Sequence, residues 1–445
     1  MISIKSSLVS LAILTAFLSV AEWRRENRGP WSYKWLTSDN STIIGGENDS
    51  IARAIRGGRG FSDPFRPYYE MTEDSRLPST PTAWMPPVLP YFLAGLYWLT
   101  GDRRESVVAI IVTIQALAVW LTTCLVLHEA ERLKRFWLGI LIVTGGLAAN
   151  FFELFQNTND SWLLMLIVAV LWLCKTKVLF AKPQSVLVLA MWGLFGGFAA
   201  LCGPVIGFVW AAVTTMFWSS KKQNDSFLKR FKPLLVSAVV SIAVVTPWTV
   251  RNRMVLGTWV PIKSNGLYEV WQSLCHDDDG LINMQSTAEH PWCSNGKERQ
   301  RYYEVGEVQF IDEKWPAVRD VISDRPMEVI DRVCYRLLAA CVYFQPLASS
   351  HEKMVWPMRF KRIVYLFPLI SITVILALRT SPLEPQLKLA MAIYFFLLVP
   401  YVLVSYTDRY VAPIVWIKMI LVLYGVDSVL AWCRQPMFDI DQPKT

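Results

Sequence analysis

Residues 106–127 read SVVAIIVTIQALAVWLTTCLVL, 22 residues with no Asp, Glu, Lys or Arg among them. As a helix this run is about 33 Å long, enough to cross a hydrocarbon core of about 30 Å. Further apolar runs flank it, at 7–21, 86–100, 136–152, 161–174, 185–219, 234–249, 337–347, 363–378, 388–406 and 411–432. Of the 445 residues 53% are hydrophobic and only 18% are charged, with a mean hydropathy of +0.32. A soluble domain carries about 25% charged residues. The shortfall excludes a disordered chain, a coiled coil and a small disulfide scaffold, and argues against a cytosolic enzyme. The chain reads as an all-α polytopic membrane protein with about 10 to 12 crossings.

Outward from that core, the charge and aromatic patterns agree. The net charge is +8, but the basic residues sit in short clusters between apolar runs. That arrangement suits membrane-flanking loops and excludes a nucleic-acid partner. The 20 Trp, 16 Tyr and 22 Phe suffice for aromatic belts at the two interfaces. The first run ends in Ser19-Val20-Ala21, which resembles a signal-peptidase site; the reading preferred is an uncleaved anchor. The run 185–219 is long enough for two short helices or one broken one, with Gly203-Pro204 at its middle.

Two segments are too polar to span, 22–84 and 250–336. They divide the chain into a transmembrane module (1–249) holding the first loop, a loop region (250–336), and C-terminal transmembrane helices with a short tail (337–445). The stretch Lys221–Lys232 carries Lys221, Lys222, Lys229, Arg230 and Lys232 against one Asp, so it is expected on the cytoplasmic side. One crossing later, 250–336 lies outside. Charge counting around the first run, with Lys5 before it and Arg24, Arg25, Arg28 and Lys34 after it, puts 22–84 inside. The motifs below put it outside.

The eight cysteines include no CxxC pair, and most lie in or beside apolar runs. Cys275 and Cys293 fall in the second polar segment, either as a disulfide or as two free thiols. Asp277-Asp278-Asp279 matches a DxD pattern, but no Gly-rich βαβ unit surrounds it, and a solvated acidic turn ending in Gly280 explains it. His276 and His290, with Asp277 or Glu289, make only a bare minimum of metal ligands. No metal site is expected; a divalent metal stays open but unsupported, and no other cofactor is predicted.

The first polar segment contains GGENDSIARAIRGGRGF, residues 45–61. From Glu47 to Arg56 the spacing predicts a short helix. Ile51, Ala54 and Ile55 share one face, Arg53 and Arg56 another, and Gly57-Gly58 stops it. Glu47 and Asp49 stand in the first turn, where the helix dipole favours them. Such a helix lies in the interface plane, either as a plain surface helix or as an acid–base site. In the second case a carboxylate takes a proton from an attacking hydroxyl and arginines one turn away hold a phosphate. Downstream, PTAWMPPVLPY (81–91) reads as a rigid junction leading into the second span, with Trp84 and Tyr91 at the interface.

These residues carry a resemblance. Glu47 with Ala52, then GGRGFSDPF, then PTAWMPPVLPYFLAGLYWLTG, resembles the first extracytoplasmic loop and second span of glycosyltransferase family 39-like proteins. These belong to the GT-C superfamily and are related to protein O-mannosyltransferases and aminoarabinose transferases. Thr246-Pro247-Trp248-Thr249-Val250-Arg251-Asn252 with VPIKSNGLYEVW, HPWCSNGKERQRYYEVGE, and Asp408-Arg409-Tyr410 ahead of Pro413 are similar to later stretches of that family, in the same order. The resemblance implies a GT-C type helix bundle with two extracytoplasmic loops, the larger partly helical. It implies a polyprenyl-phosphate sugar donor, inverting transfer, and a lipid, glycan or protein acceptor on the outer side of a bacterial inner (plasma) membrane. Glu47 stands where the family has its essential acid. The family more often shows Asp there, frequently as Asp-Glu; here the second position is Asn48, and Ile51 replaces the usual Tyr.

The expected roles follow. Glu47 is the base and Asp49 the reserve. Arg53, Arg56, Arg251 and Arg409 are the candidates for the leaving phosphate, because negative charge develops there. Trp84, Asn252 and Tyr410 complete the substrate-binding set. The alternative is a transporter or flippase of envelope glycolipids, which would carry ionisable groups at the midplane and internal repeats. The spans read as nearly free of charge and no repeat is visible. A non-catalytic assembly partner is the third class.

Overall fold

The computed structural model describes residues 2–26, 44–66, 79–155, 159–180, 185–219, 227–276, 280–282, 290–292, 297–344, 355–378 and 382–434. Among the described residues the regular structure is helical, with two isolated bridges and no named strand. Five helices there are long and apolar enough to cross a membrane: Arg104–Arg132, Phe231–Leu256, Phe360–Ala377, Pro385–Leu403 and Asp408–Trp432.

The first helix fixes the sidedness of everything else. Helix α1 (Ile4–Glu26) runs antiparallel to a later helix, Arg104–Arg132. Ser3 and Ser6 Oγ donate to Glu131 Oε2 at 2.6 and 3.2 Å, and Trp120 Nε1 donates to Ser7 O at 3.2 Å. Residue 3 therefore lies at the Glu131 end, and α1 rises toward the Arg104 end. There the chain resumes with α2 (Gly46–Arg56), whose Asp49 lies 3.4 Å from Arg104. This end is the loop face; the other is the opposite face.

Helix α3 (Val88–Thr100) corrects one expectation, because the run 86–100 does not cross. Near its start Tyr91 meets Phe61, with ring centroids 5.7 Å apart; near its end Tyr97 donates to Asp49, and Asp102 pairs with Arg56 at 3.3 Å. Both ends thus stay on the loop face. Thirteen residues rise only about 20 Å, too little for the hydrocarbon core. Gly101, at φ 64°, turns the chain back. Trp98 and Leu99 are exposed, as suits a helix lying in the interface.

From Arg104 the chain weaves between the two faces through α4 (Arg104–Arg132), α5 (Phe136–Ala149), the short α6 (Phe151–Phe155) and α7 (Ser161–Cys174). Then α8 (Val186–Cys202) and α9 (Pro204–Ser219) form a tight hairpin that turns at Gly203-Pro204, as one of the two sequence readings had it. Gly196 packs on Trp210 and Gly207 on Ala200, so the two helices are folded symmetrically about the turn. Gly193 and Gly197 let α10 (Phe227–Leu256) approach to backbone contact, and Ser237 Oγ of α10 donates to Leu189 O at 2.9 Å. At about 25 Å each, α8 and α9 are short passes.

The second polar segment folds as α11 (Gly266–Cys275), α12 (Lys297–Val305), α13 (Glu307–Asp312) and α14 (Trp315–Asp324). It shares one core with the first loop, where Phe65 and Trp84 pack among Tyr268, Trp271, Tyr302, Phe310 and Val318. Helix α15 (Pro326–Cys341) then dips into the bundle, and this corrects the expected crossing at 337–347. Arg336 donates to Val402 O at 2.7 Å and to Leu403 O at 3.2 Å, and Ala339–Cys341 are buried in the main core. Phe344 then meets Lys361, which lies back at the loop face beside Glu153 at 2.6 Å. Helices α16 (Val355–Val364), α17 (Phe367–Ala377), α18 (Pro385–Leu403) and α19 (Val415–Trp432) complete the bundle. On the opposite face Arg132 reaches Glu384 at 2.9 Å and Arg135 reaches Asp427 at 2.6 Å. The ends of α9 and α10 joined by the Lys221–Lys232 region lie on that face too.

Candidate functional site

On the loop face a cavity of about 490 Å³ opens between the two polar segments and the helix ends beneath them. Several parts of the chain supply it, the junction at Trp84 among them. The first turn of α2 brings Glu47 and Asn48; the turn before α7 brings Asn159 and Asp160; the α8–α9 hairpin brings Gly203 and Pro204. The second loop brings Lys263, Asn265, Tyr268, Glu269 and His290. The turn Asp408–Ile414 brings Arg409 and Tyr410. Leu164, Val205, Ile206, Val404 and Pro413 form an apolar wall continuous with the bundle.

Glu47 reaches the cavity because α2 begins at Gly45-Gly46. Gly45 has φ 84°, which L side chains rarely adopt, and its close neighbour is Asn159. The Glu47 side chain is 23% exposed, and His290 Nε2 lies 3.8 Å from its Oε1. Burial pushes the His290 imidazole below its usual pKa, so the ring stays neutral despite Glu47 and Glu269 nearby. At the N-terminus of α7, burial pushes the Asp160 carboxyl up, while Arg409 and Lys263 pull it down. Lys263 Nζ donates to Glu269 Oε1 at 2.9 Å, and Ser405 Oγ donates to Oε2 at 3.2 Å. Tyr410 stacks on Tyr401 with centroids 4.4 Å apart, and the Arg409 guanidinium lies 5.6 Å from the Tyr410 ring. Among the described residues the buried amide oxygens of Asn48, Asn159 and Asn265 accept no hydrogen bond. An unpartnered buried acceptor is costly, and all three belong to residues that line the cavity.

Of the residues chosen from sequence, the structure brings Glu47, Trp84, Arg409 and Tyr410 to this cavity. The others stand elsewhere. Asp49 is buried under α3 and α4, accepting from Tyr97 and pairing with Arg53 at 3.2 Å and Arg104 at 3.4 Å. It is two residues from Glu47, and the 100° turn per residue sends it to the other side of α2. Arg53 is therefore engaged as well, and Arg56 pairs with Asp102. Arg251 clamps the first loop, donating to Thr82 O at 2.6 Å and Phe61 O at 2.8 Å while its guanidinium stacks on Trp248. Asn252 is buried and donates to Val260 O at 2.9 Å, holding the turn that follows α10.

Sequence reasoning passed over Asn159, Asp160, Lys263 and Glu269. Their signal is faint: Asn159-Asp160 is a polar break between two apolar runs, and Lys263 sits inside the VPIKSNGLYEVW stretch. The reading of nearly uncharged spans also needs correction. Lys361 is buried between Glu153 and Asp408, and Tyr365 donates to Asp408 at 2.9 Å. This cluster sits at the loop-face end of the bundle and joins α16 to the turn that carries Arg409.

Among the described residues no three His, Cys, Asp or Glu side chains converge to hold a metal ion. Asp277–Asp279, Glu289 and Cys293 lie outside the described residues; Cys275 is a free, half-buried thiol. Comparisons with protein-family models, with curated proteins and with solved structures return no match.

Proposed function

We propose that the chain is a membrane glycosyltransferase of GT-C type that moves a sugar from a polyprenyl-phosphate donor to an acceptor hydroxyl at the loop face. The observation that carries this reading is the meeting of Glu47 and Arg409 on one cavity, although 362 residues separate them. Glu47 is the acid that the resemblance singles out, and Arg409 is one of the four arginines expected to meet the phosphate. The chemistry of the walls fits the donor. An apolar side continuous with the bundle suits a prenyl chain, and Arg409 suits a phosphate.

In the reaction Glu47 takes the proton of the acceptor hydroxyl. The acceptor oxygen forms its bond to the anomeric carbon from the side opposite the phosphate, and the carbon–oxygen bond to phosphate breaks with inversion. The electron pair leaves on the phosphate, where Arg409 offsets the growing charge. The loop face is the extracytoplasmic side in this reading, because the basic Lys221–Lys232 region joins helix ends on the opposite face.

The test is transfer from radiolabelled polyprenyl-phosphate sugars in membranes carrying the full chain or its Glu47→Gln variant. Product from the wild type and none above background from the variant supports the reading. Equal turnover removes the base assignment, and no turnover with any donor removes the transferase reading.

A further inference from the structure

Gly46, the residue before Glu47, packs on the segment that carries His290. A Cβ built on Gly46 would lie 2.2 Å from the Trp292 ring, so Trp292 packs directly on the first turn of α2. The backbone N–H of Trp292 donates to His290 Nδ1 at 3.2 Å. A ring nitrogen that accepts a hydrogen bond carries no proton, so the neutral imidazole holds its proton on Nε2. Nε2 is the atom that faces Glu47 Oε1. The ring cannot swing away, because Phe65, Trp84 and Tyr268 meet it edge-on with centroids 5.6, 6.0 and 5.6 Å distant. The charged groups facing it are Glu47 from α2, Glu269 from α11 and Arg409 from the turn after α18.

We propose that His290 is a positioning residue for Glu47: its Nε2–H holds one carboxylate oxygen and leaves the other free to receive the acceptor's proton. This rests on the reading of Glu47 as the base. The present 3.8 Å shortens to hydrogen-bond distance when substrate fills the cavity, as catalytic contacts commonly tighten on binding. His290 gains and loses no proton in the step; the acceptor's proton moves to Glu47 alone. Gly46 is then the hinge of the device, since a side chain there displaces Trp292 and, with it, the group that sets the tautomer.

The test uses His290→Phe, which keeps a ring without a donor, and His290→Gln, whose amide donates from nearly the same place. The Glu47 carboxyl is titrated by difference infrared spectroscopy in the reconstituted full chain with polyprenyl phosphate, the donor without its sugar, filling the cavity, against Glu47→Gln. An N–H donor favours the carboxylate, so its loss raises the pKa. In His290→Phe the Glu47 titration is expected to move up by about one pH unit, a tenfold change in proton affinity. The acid limb of the rate profile moves with it, and kcat falls about tenfold at unchanged KM. His290→Gln recovers the wild-type titration and part of the rate, and Gly46→Ala shifts both in the direction of His290→Phe. An unshifted titration in His290→Phe overturns the proposal. So does a His290→Gln variant as inactive as His290→Phe, which would make the imidazole itself the base. Should His290→Phe not fold, His290→Gln and Gly46→Ala decide alone. The spectroscopic arm needs no turnover, so it stands even where no donor is turned over and the transferase reading itself fails.

Discussion

The paired charges of the opposite face and two charges of the loop-face cavity, Glu47 and Arg409, are treated in opposite ways. On the opposite face carboxylates and cations are matched. Glu129 sits between Arg132 at 2.8 Å and Lys175 at 3.6 Å, and Arg135 holds Asp427 at 2.6 Å. In the loop-face cavity Glu47 has only His290 at 3.8 Å, and Arg409 has no ion-pair partner within 4.0 Å among the described residues. Matched charges join helix to helix and leave nothing for a ligand. Unmatched charges in a cavity are unfavourable for the empty protein, and such groups cluster where a ligand or reaction uses them. The same contrast recurs within the first two turns of α2, between Asp49, enclosed by Arg53, Arg104 and Tyr97, and Glu47, open to the cavity.

The sharpest way to break that contrast is Asp49→Asn. It leaves two buried guanidinium groups without their carboxylate, a loss of about 3–5 kcal/mol. The expected result is a clear drop in thermal midpoint in detergent, against an unchanged midpoint for Glu47→Gln. Next comes Arg409→Met, expected to lower kcat about 10²–10³-fold, or about 2.7–4 kcal/mol, with little change in midpoint. Turnover of the labelled donor and a melting curve on the same preparation check it.

A smaller effect comes from Glu307, buried under the first loop and accepting from Ala83 N and Tyr302 OH, each at 2.8 Å. Burial pushes its carboxyl above the usual range. The folded state therefore binds the proton more tightly than the unfolded chain does. That contribution is complete below the ordinary value of about 4.3 and is lost as pH rises through the folded pKa, at up to about 1.4 kcal/mol per pH unit. Glu307→Gln removes the slope, so its midpoint relative to wild type should climb as pH rises above about 4. The smallest effect is Glu384→Gln. Arg132 and Glu384 are 34% and 49% exposed, and solvent screening leaves such a pair below about 1 kcal/mol. The midpoint should barely move.

Much of the bundle is legible in the sequence, because membrane passes need only length and apolar composition. The broken pair at Gly203-Pro204 and the basic Lys221–Lys232 region are visible for the same reason. Orientation is not. The run 86–100 has the composition of a pass, yet its prolines, its thirteen helical residues and the contacts from Asp49 and Arg56 keep it on one face. The site is legible only in part. Glu47 and Asp49 are equivalent by composition, and only the arrival of Arg104 from α4 and Tyr97 from α3 separates them. Arg251 looks suited to phosphate by its position after a span, but the carbonyls of Phe61 and Thr82 occupy its donors. Asp160 is one acid in a short polar break, and nothing before the fold tells that it will line one cavity with Arg409.

Single-turnover transfer from a labelled polyprenyl-phosphate sugar, in sealed vesicles of known sidedness, compares wild type with Glu47→Gln most directly. The account expects product from donor added on the loop-face side, and a rate about 10²–10⁴-fold lower in the variant at an equal melting midpoint. Equal rates in the two proteins, or product formed only when donor is supplied on the side of the Lys221–Lys232 region, would contradict it.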